Sequence, residues 1–195
     1  MVRWKAQGYT AWAAGQNVDL KAGTLTKEGS KDMRIWLGID PGQTGAMAVI
    51  EDIIQESNAE ISTFVIDFED SNVLQYLQWL KDRGLNCYTK AVIEKVHSMP
   101  GQGVSSTCKF CTNFGIWIGR LEALGIPFDF VTPQKWQKVM FDSMTKGDRK
   151  AMSLDRARRL FPKMAEKLKR KKDHNRADAL LLAEYARRMD NSHGG

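Results

Sequence analysis

Cysteine is scarce in this chain: three residues, Cys87, Cys108 and Cys111, odd in number and irregularly spaced. That excludes a disulfide framework and points to free thiols in a reducing cytoplasm. Cys108 and Cys111 share one helical turn, but no second Cys or His pair has the spacing to complete a zinc site, so both are expected in the core. No apolar stretch approaches the roughly 18 residues a membrane-spanning helix needs, and the start lacks a signal-peptide pattern. The expectation is a cytoplasmic chain with no membrane partner. Internal repeats are absent too.

What is present is apolar material and positive charge. At 195 residues and 43% apolar content the chain can bury one good core. Its net charge of +6 is unevenly spread. From Pro133 onward there are 17 Lys/Arg against 8 Asp/Glu, or +9, which leaves 12 against 15, or −3, for the part before it. A basic C-terminal third on a near-neutral body suits a polyanion, most simply nucleic acid.

Residues 1–32 carry scattered Gly and Lys without a sustained period and are expected to form a mobile arm. Met33 lies directly before the first strand, where the start codon would stand if the arm were an over-extension. Residues 33–195 are expected to fold as one domain. Within it, Trp36-Leu37-Gly38-Ile39-Asp40-Pro41-Gly42-Gln43-Thr44-Gly45 organises the rest. The apolar run is too short for a buried helix and reads as a core strand ending in a lone carboxylate, Asp40. Pro41 and Gly42 turn the chain into a second strand, 46–50. A third, 61–67, completes a meander. A helix over 72–83 stops at Gly84, and the strand 91–96 carries one acid, Glu94.

Ser105 or Ser106 caps a long helix to Leu124, and 128–131 is a fifth strand. Helices follow from Pro133 to Met140, from 149 to 160 and from 174 to 189, with 163–172 a basic connector. The order β-β-β-α-β-α-β-α-α-α gives an α/β fold with a mixed five-stranded sheet: a three-strand antiparallel meander plus parallel strands, helices on both faces.

Three segments therefore offer an acid where sheet meets helix: Asp40, Glu94, and Asp178 on the inner face of the last helix among Ala177, Ala179 and Leu181. A buried carboxylate is costly unless paired or bound to a cation. Asp40 has a simpler alternative, an Asx turn to its own backbone. Three like charges brought together call for a hard divalent ion such as Mg²⁺.

The set Gly38-Ile39-Asp40-Pro41-Gly42, Ile93-Glu94-Lys95-Val96 and Ala177-Asp178-Ala179-Leu180-Leu181-Leu182-Ala183 resembles the RuvC Holliday junction resolvases, of the RNase H-like fold. Residues 99–106 and 131–138 look more like the bacteriophage-encoded branch. The resemblance implies a Mg²⁺-dependent endonuclease with two ions per site (Mn²⁺ able to substitute), acting as a homodimer on four-way DNA in paired nicks. Asp40 would bridge both ions, with Glu94 and Asp178 holding one each.

The chain departs from that pattern twice. The family places a further Asp or His ligand one turn before the last Asp, where this chain has Asn175, with His174 and Asp173 just upstream. The fourth function is expected to be shared among these three, His174 touching phosphate or solvent; the alternative is that they only cap the helix. Cellular members also carry a stacking aromatic three residues after the Glu, where this chain has His97. Lys95, Lys135, Lys138, Lys146, Arg149, Lys150, Lys171 and Lys172 are candidate phosphate contacts, Lys146 expected nearest the site. Two other classes fit the same residues: a branched-DNA binding protein with weak or no cleavage, and an RNase H-like nuclease of broader range.

Overall fold

Nine residues of alternating pattern, Asp32–Asp40, form the strand around which the sheet is laid, and everything near the acids is positioned from it. The structure, a computed structural model, describes residues 9–13, 16–20, 32–42, 44–54, 59–69, 72–83, 87–95, 103–141 and 147–191. Strands β1 (Tyr9–Ala13) and β2 (Gln16–Leu20) pair as an antiparallel hairpin, where the sequence suggested an irregular arm. The main sheet holds β3 (Asp32–Asp40), β4 (Ala46–Ile54), β5 (Ala59–Asp67), β6 (Cys87–Glu94) and β7 (Phe128–Val131) in the order β5-β4-β3-β6-β7. Strand β4 runs antiparallel to both its neighbours, whereas β6 and β7 run parallel to β3. That is the mixed five-stranded sheet, an antiparallel meander plus parallel strands, that the sequence pattern predicts.

Period-two alternation sorts β3 cleanly between two cores. Ile35, Leu37 and Ile39 pack with helices α1 (Asn72–Arg83) and α2 (Val104–Leu124) through Leu77, Trp117 and Leu121. Trp36 packs on the other face with α3 (Pro133–Met140), α4 (Arg149–Leu160) and α5 (His174–Asn191). Gly38 and Asp40 share that second face by parity. Residues 162–168 and 171–173, expected as a plain connector, form short 3₁₀ turns.

Helix α5 reaches the sheet because nothing stands in its way. A Cβ at Gly38 would lie 2.1 Å from the Ala183 backbone nitrogen and 2.2 Å from the Ala179 carbonyl oxygen. Ala177, Ala179, Ala183 and Ala186 keep the helix side of the contact equally thin. Both helix ends are then pinned. Near the start, Arg176 makes a two-pronged ion pair with Asp67 at the end of β5, its Nε donating at 2.7 Å. Near the end, Asp190 accepts from Trp36 Nε1 at 3.1 Å and from the Tyr88 hydroxyl at 2.7 Å. Charge-assisted bonds of the first kind contribute about 1.5–3 kcal/mol each, enough to hold the register of a helix whose packing surface is mostly methyl groups.

Helix α2 differs from expectation in two details. Its N-cap is Gly103 with no side-chain hydrogen bond, so neither Ser105 nor Ser106 caps it. Its cysteines are not in the core: Cys108 and Cys111 are exposed, because the buried stripe of this helix runs through Trp117 and Leu121 on the opposite face. Gly125, with φ of 67°, ends the helix in the left-handed conformation that glycine adopts without strain. Among the described residues no helix is long and apolar enough to cross a membrane.

Candidate active site

Strand register brings the first two acids together. Gly38 pairs with Val92 and Ile39 with Ile93, so Asp40 and Glu94 occupy neighbouring strand ends on the α5 face. Asp40 is only 7% exposed. Its Oδ1 accepts the Gly42 N–H at 2.9 Å, so the Asx turn exists as well as the buried carboxylate. The turn is closed by the Gly45 N–H donating to the Gly42 carbonyl at 2.9 Å. Two helices hold it from outside: Asn113 of α2 donates to the same carbonyl at 3.2 Å, and Asn175 of α5 donates to the Thr44 carbonyl at 2.9 Å and to its hydroxyl.

Glu94 is half-buried, and its Oε1 accepts the indole N–H of Trp136 at 2.8 Å. Asp178 enters from α5, directly before Ala179, whose carbonyl presses on Gly38, and accepts a hydrogen bond from the buried Ser153 hydroxyl of α4. Trp136, Ser153, Asn113 and Thr44 are site residues that sequence reasoning missed. Nothing local distinguishes them; the only signal was Trp136 lying in a stretch, 131–138, that resembled the family.

The electrostatics show that the acids sense one another. Burial holds the Asp40 carboxyl well above the ordinary carboxylate range, and the charges of Asp178 and Glu94 push the same way. Burial likewise raises Glu94, against the Trp136 hydrogen bond. Asp178 is pushed up to about 7 by burial, with Glu94 adding and both Ser153 and Lys150 opposing. Among the described residues no three His, Cys, Asp or Glu side chains are drawn together as a finished metal cage. The donor set nevertheless fits a hard divalent cation: oxygen only, with like charges short of a counter-charge.

The sign of these shifts gives a stability prediction for the metal-free protein. The folded chain keeps protons on Asp40 and Asp178 that the unfolded chain loses near pH 4, so their contribution falls as pH rises toward 8. Asp67, Asp173 and Glu184 are lowered and act only below pH 5, so they do not interfere. His174, lowered by burial, works in the opposite direction over the same window, which makes a difference measurement necessary. In EDTA, Asp178→Asn is expected to match the parent melting temperature at pH 5 and exceed it at pH 8. The gap corresponds to roughly 2–4 kcal/mol, about 5 °C or more. Equal melting temperatures at both pH values would show that Asp178 is solvated.

The other predicted residues separate into groups. Asp173 is 5% exposed and its carboxylate is taken by Arg170, through the backbone N–H at 2.8 Å and the guanidinium at 2.9 Å, with Arg176 3.6 Å away. These bonds close the 171–173 turn that precedes α5. His174 is half-buried, its Nδ1–H donating to the Lys171 carbonyl at 3.1 Å. Lys150 is the basic residue whose charge reaches Asp40, Asp178 and His174 alike. Lys95, Lys135, Lys138, Arg149, Lys171 and Lys172 are exposed; Arg149 donates to Gln137, and Lys171 pairs with Asp148 at 3.4 Å. His97 and Lys146 lie outside the described residues.

Comparison with known proteins gives three findings. No protein-family model matches the chain. A stretch of 88 residues, 45% of the chain, is 35% identical to the chloroplastic Holliday junction resolvase MOC1 of Chlamydomonas reinhardtii. The match covers 10% of that protein, so the chain spans about a tenth of its length. Among solved structures, RuvC of T. thermophilus in complex with a Holliday junction substrate has a TM-score of 0.48 at 15% identity, covering 80% of this chain and 96% of that one. The fowlpox virus Holliday junction resolvase has a TM-score of 0.40 at 13% identity, covering 82% and 99%.

Proposed function

We propose that this chain is a divalent-metal-dependent endonuclease that cuts four-way DNA junctions. The observation that carries the reading is the convergence of Asp40, Glu94 and Asp178, from β3, β6 and α5, on one face, where burial raises all three carboxyls and the Glu94 charge adds to the shift at Asp40 and Asp178. The identity with a Holliday junction resolvase supports the substrate class. Asp40, Glu94 and Asp178 would hold Mg²⁺, two ions per site, with Mn²⁺ as an alternative. When bound, the metal supplies a Lewis acid for phosphodiester hydrolysis. The chain's own part is to present the carboxylates in fixed orientation and to exclude bulk water from Asp40. Lys150, whose charge acts on Asp40 and Asp178, would contact the scissile phosphate, and Lys135, Lys138, Arg149, Lys171 and Lys172 would supply sequence-independent affinity.

Paired nicks require two sites related by a two-fold axis, so we propose a homodimer as the active form. The long exposed side of α2, with Cys108, Cys111, Gly115 and Gly119, would serve that pairing. A second reading is favoured by one observation. Asn175 stands where the resemblance puts a fourth acid, and its amide is committed to Thr44. A site one charge short would leave a junction-binding protein with feeble cleavage.

The test is cleavage of a synthetic four-way junction with Mg²⁺, beside a linear duplex and a three-way fork. The expected result is symmetric paired nicks on the junction, abolished by EDTA and restored by Mg²⁺ or Mn²⁺. Tight selective binding without nicks would move the assignment to the second reading. Equal cutting of fork and junction would indicate a nuclease of broader range.

A further inference from the structure

Each acid of the site is tied to one donor that is not itself a ligand, Gly42 N–H for Asp40, the Ser153 hydroxyl for Asp178 and the Trp136 indole for Glu94, and the last is the bulkiest and most firmly packed of the three. Trp136 lies on α3, four residues into a helix opened by Pro133, and is 1% exposed. Its indole N–H reaches Glu94 Oε1 at 2.8 Å, while its ring packs against Phe141 with centroids 6.0 Å apart. A buried indole N–H needs an acceptor, and this acceptor is a carboxylate at the end of β6. One Glu94 oxygen is thereby occupied, and the side chain's rotation is fixed by a group anchored in the core. We propose that Trp136 is a positioning residue for the metal site: it holds Glu94 as a one-oxygen ligand by taking the other oxygen. Restraints of this kind typically change metal affinity or activity by about 10–100-fold.

The inference rests on the reading of Glu94 as a ligand, so the experiment separates the two. Mn²⁺ binding to the DNA-free protein is measured by titration calorimetry for the parent, Trp136→Phe, Glu94→Gln and Phe141→Leu. Trp136→Phe removes the N–H and keeps an aromatic ring; Phe141→Leu loosens the same packing and leaves the N–H. The expected result is at least ~10-fold weaker Mn²⁺ binding in Trp136→Phe, a comparable or larger loss in Glu94→Gln, and parent affinity in Phe141→Leu. Parent affinity in Trp136→Phe with loss in Glu94→Gln overturns the positioning role and leaves the site intact. Equal weakening in Trp136→Phe and Phe141→Leu assigns the effect to packing and overturns it as well. Parent affinity in Glu94→Gln removes Glu94 from the ligand set, and the inference with it. If Trp136→Phe does not fold, the indole N–H resonances of the parent carry the test. One of them is expected to move on Mg²⁺ addition and to be the same one displaced by Glu94→Gln. No such resonance would overturn the proposal.

Discussion

Asp40→Asn is expected to reduce junction cleavage by on the order of 10³ or more, to leave junction binding within about two-fold, and to raise the melting temperature of the metal-free protein. The three effects share one cause. Asn keeps an oxygen that can accept the Gly42 N–H, so the turn from Pro41 to Gly45 keeps its closure. It removes the negative charge that burial and the neighbouring Asp178 and Glu94 make costly. A residue present for structure loses stability when it is changed; a residue present for chemistry commonly costs stability, and its neutral isostere relieves that cost. Activity and stability therefore move in opposite directions if Asp40 is a ligand. Cleavage assay, junction gel shift and thermal melting in EDTA read the three quantities. Loss of folding together with cleavage would make Asp40 a structural residue, and undiminished cleavage would remove it from the site.

Asp40, Glu94 and Asp178 were legible in the sequence because each breaks an apolar run at the point where an element ends or turns inward. A lone acid beside Ile39, beside Ile93, or among Ala177 and Ala179 contradicts its surroundings, and that contradiction is itself the signal. The strand and helix order was legible for the same reason: period two and period 3.6 are visible wherever one face is buried. Residues that orient the acids give no such contradiction. Trp136 and Ser153 look like ordinary core and helix residues, and only the packing of α3 and α4 against the sheet gives them a carboxylate to bond.

Where the expectations failed, competing geometry decided. Cys108 and Cys111 are apolar enough for a core, but the helix has one buried face and Trp117 and Leu121 occupy it. Asp173 looked like a spare ligand next to Asp178, yet Arg170, three residues earlier, donates both its backbone N–H and its guanidinium to that carboxylate. Ser105 and Ser106 have the chemistry of an N-cap, but the helix begins before them at Val104. Pairing of 9–13 with 16–20 was not legible because strands of five residues are too short to show a sustained period.

Gly38 links fold to site, and Gly38→Ala is expected to destabilise the protein by more than ~4 kcal/mol, or to prevent its accumulation in soluble form. The added methyl would meet backbone atoms of α5 at 2.1 and 2.2 Å, which no change of rotamer relieves. The helix would have to lift from β3, while Arg176 and Asp190 hold its two ends to β5 and to Trp36 and Tyr88. Asp178 sits on that span, so any folded fraction is expected to cleave poorly as well. Gly115→Ala and Gly119→Ala are the controls: both positions face open space within their own chain, and alanine favours a helix by about 0.5–1 kcal/mol each. Urea unfolding of the three variants measures the contrast directly. A Gly38→Ala protein as stable as the parent would mean that α5 does not touch β3 there, and the placement of Asp178 opposite Asp40 would fall with it. Stable Gly115→Ala or Gly119→Ala proteins that no longer form dimers would, by contrast, locate the subunit contact on α2.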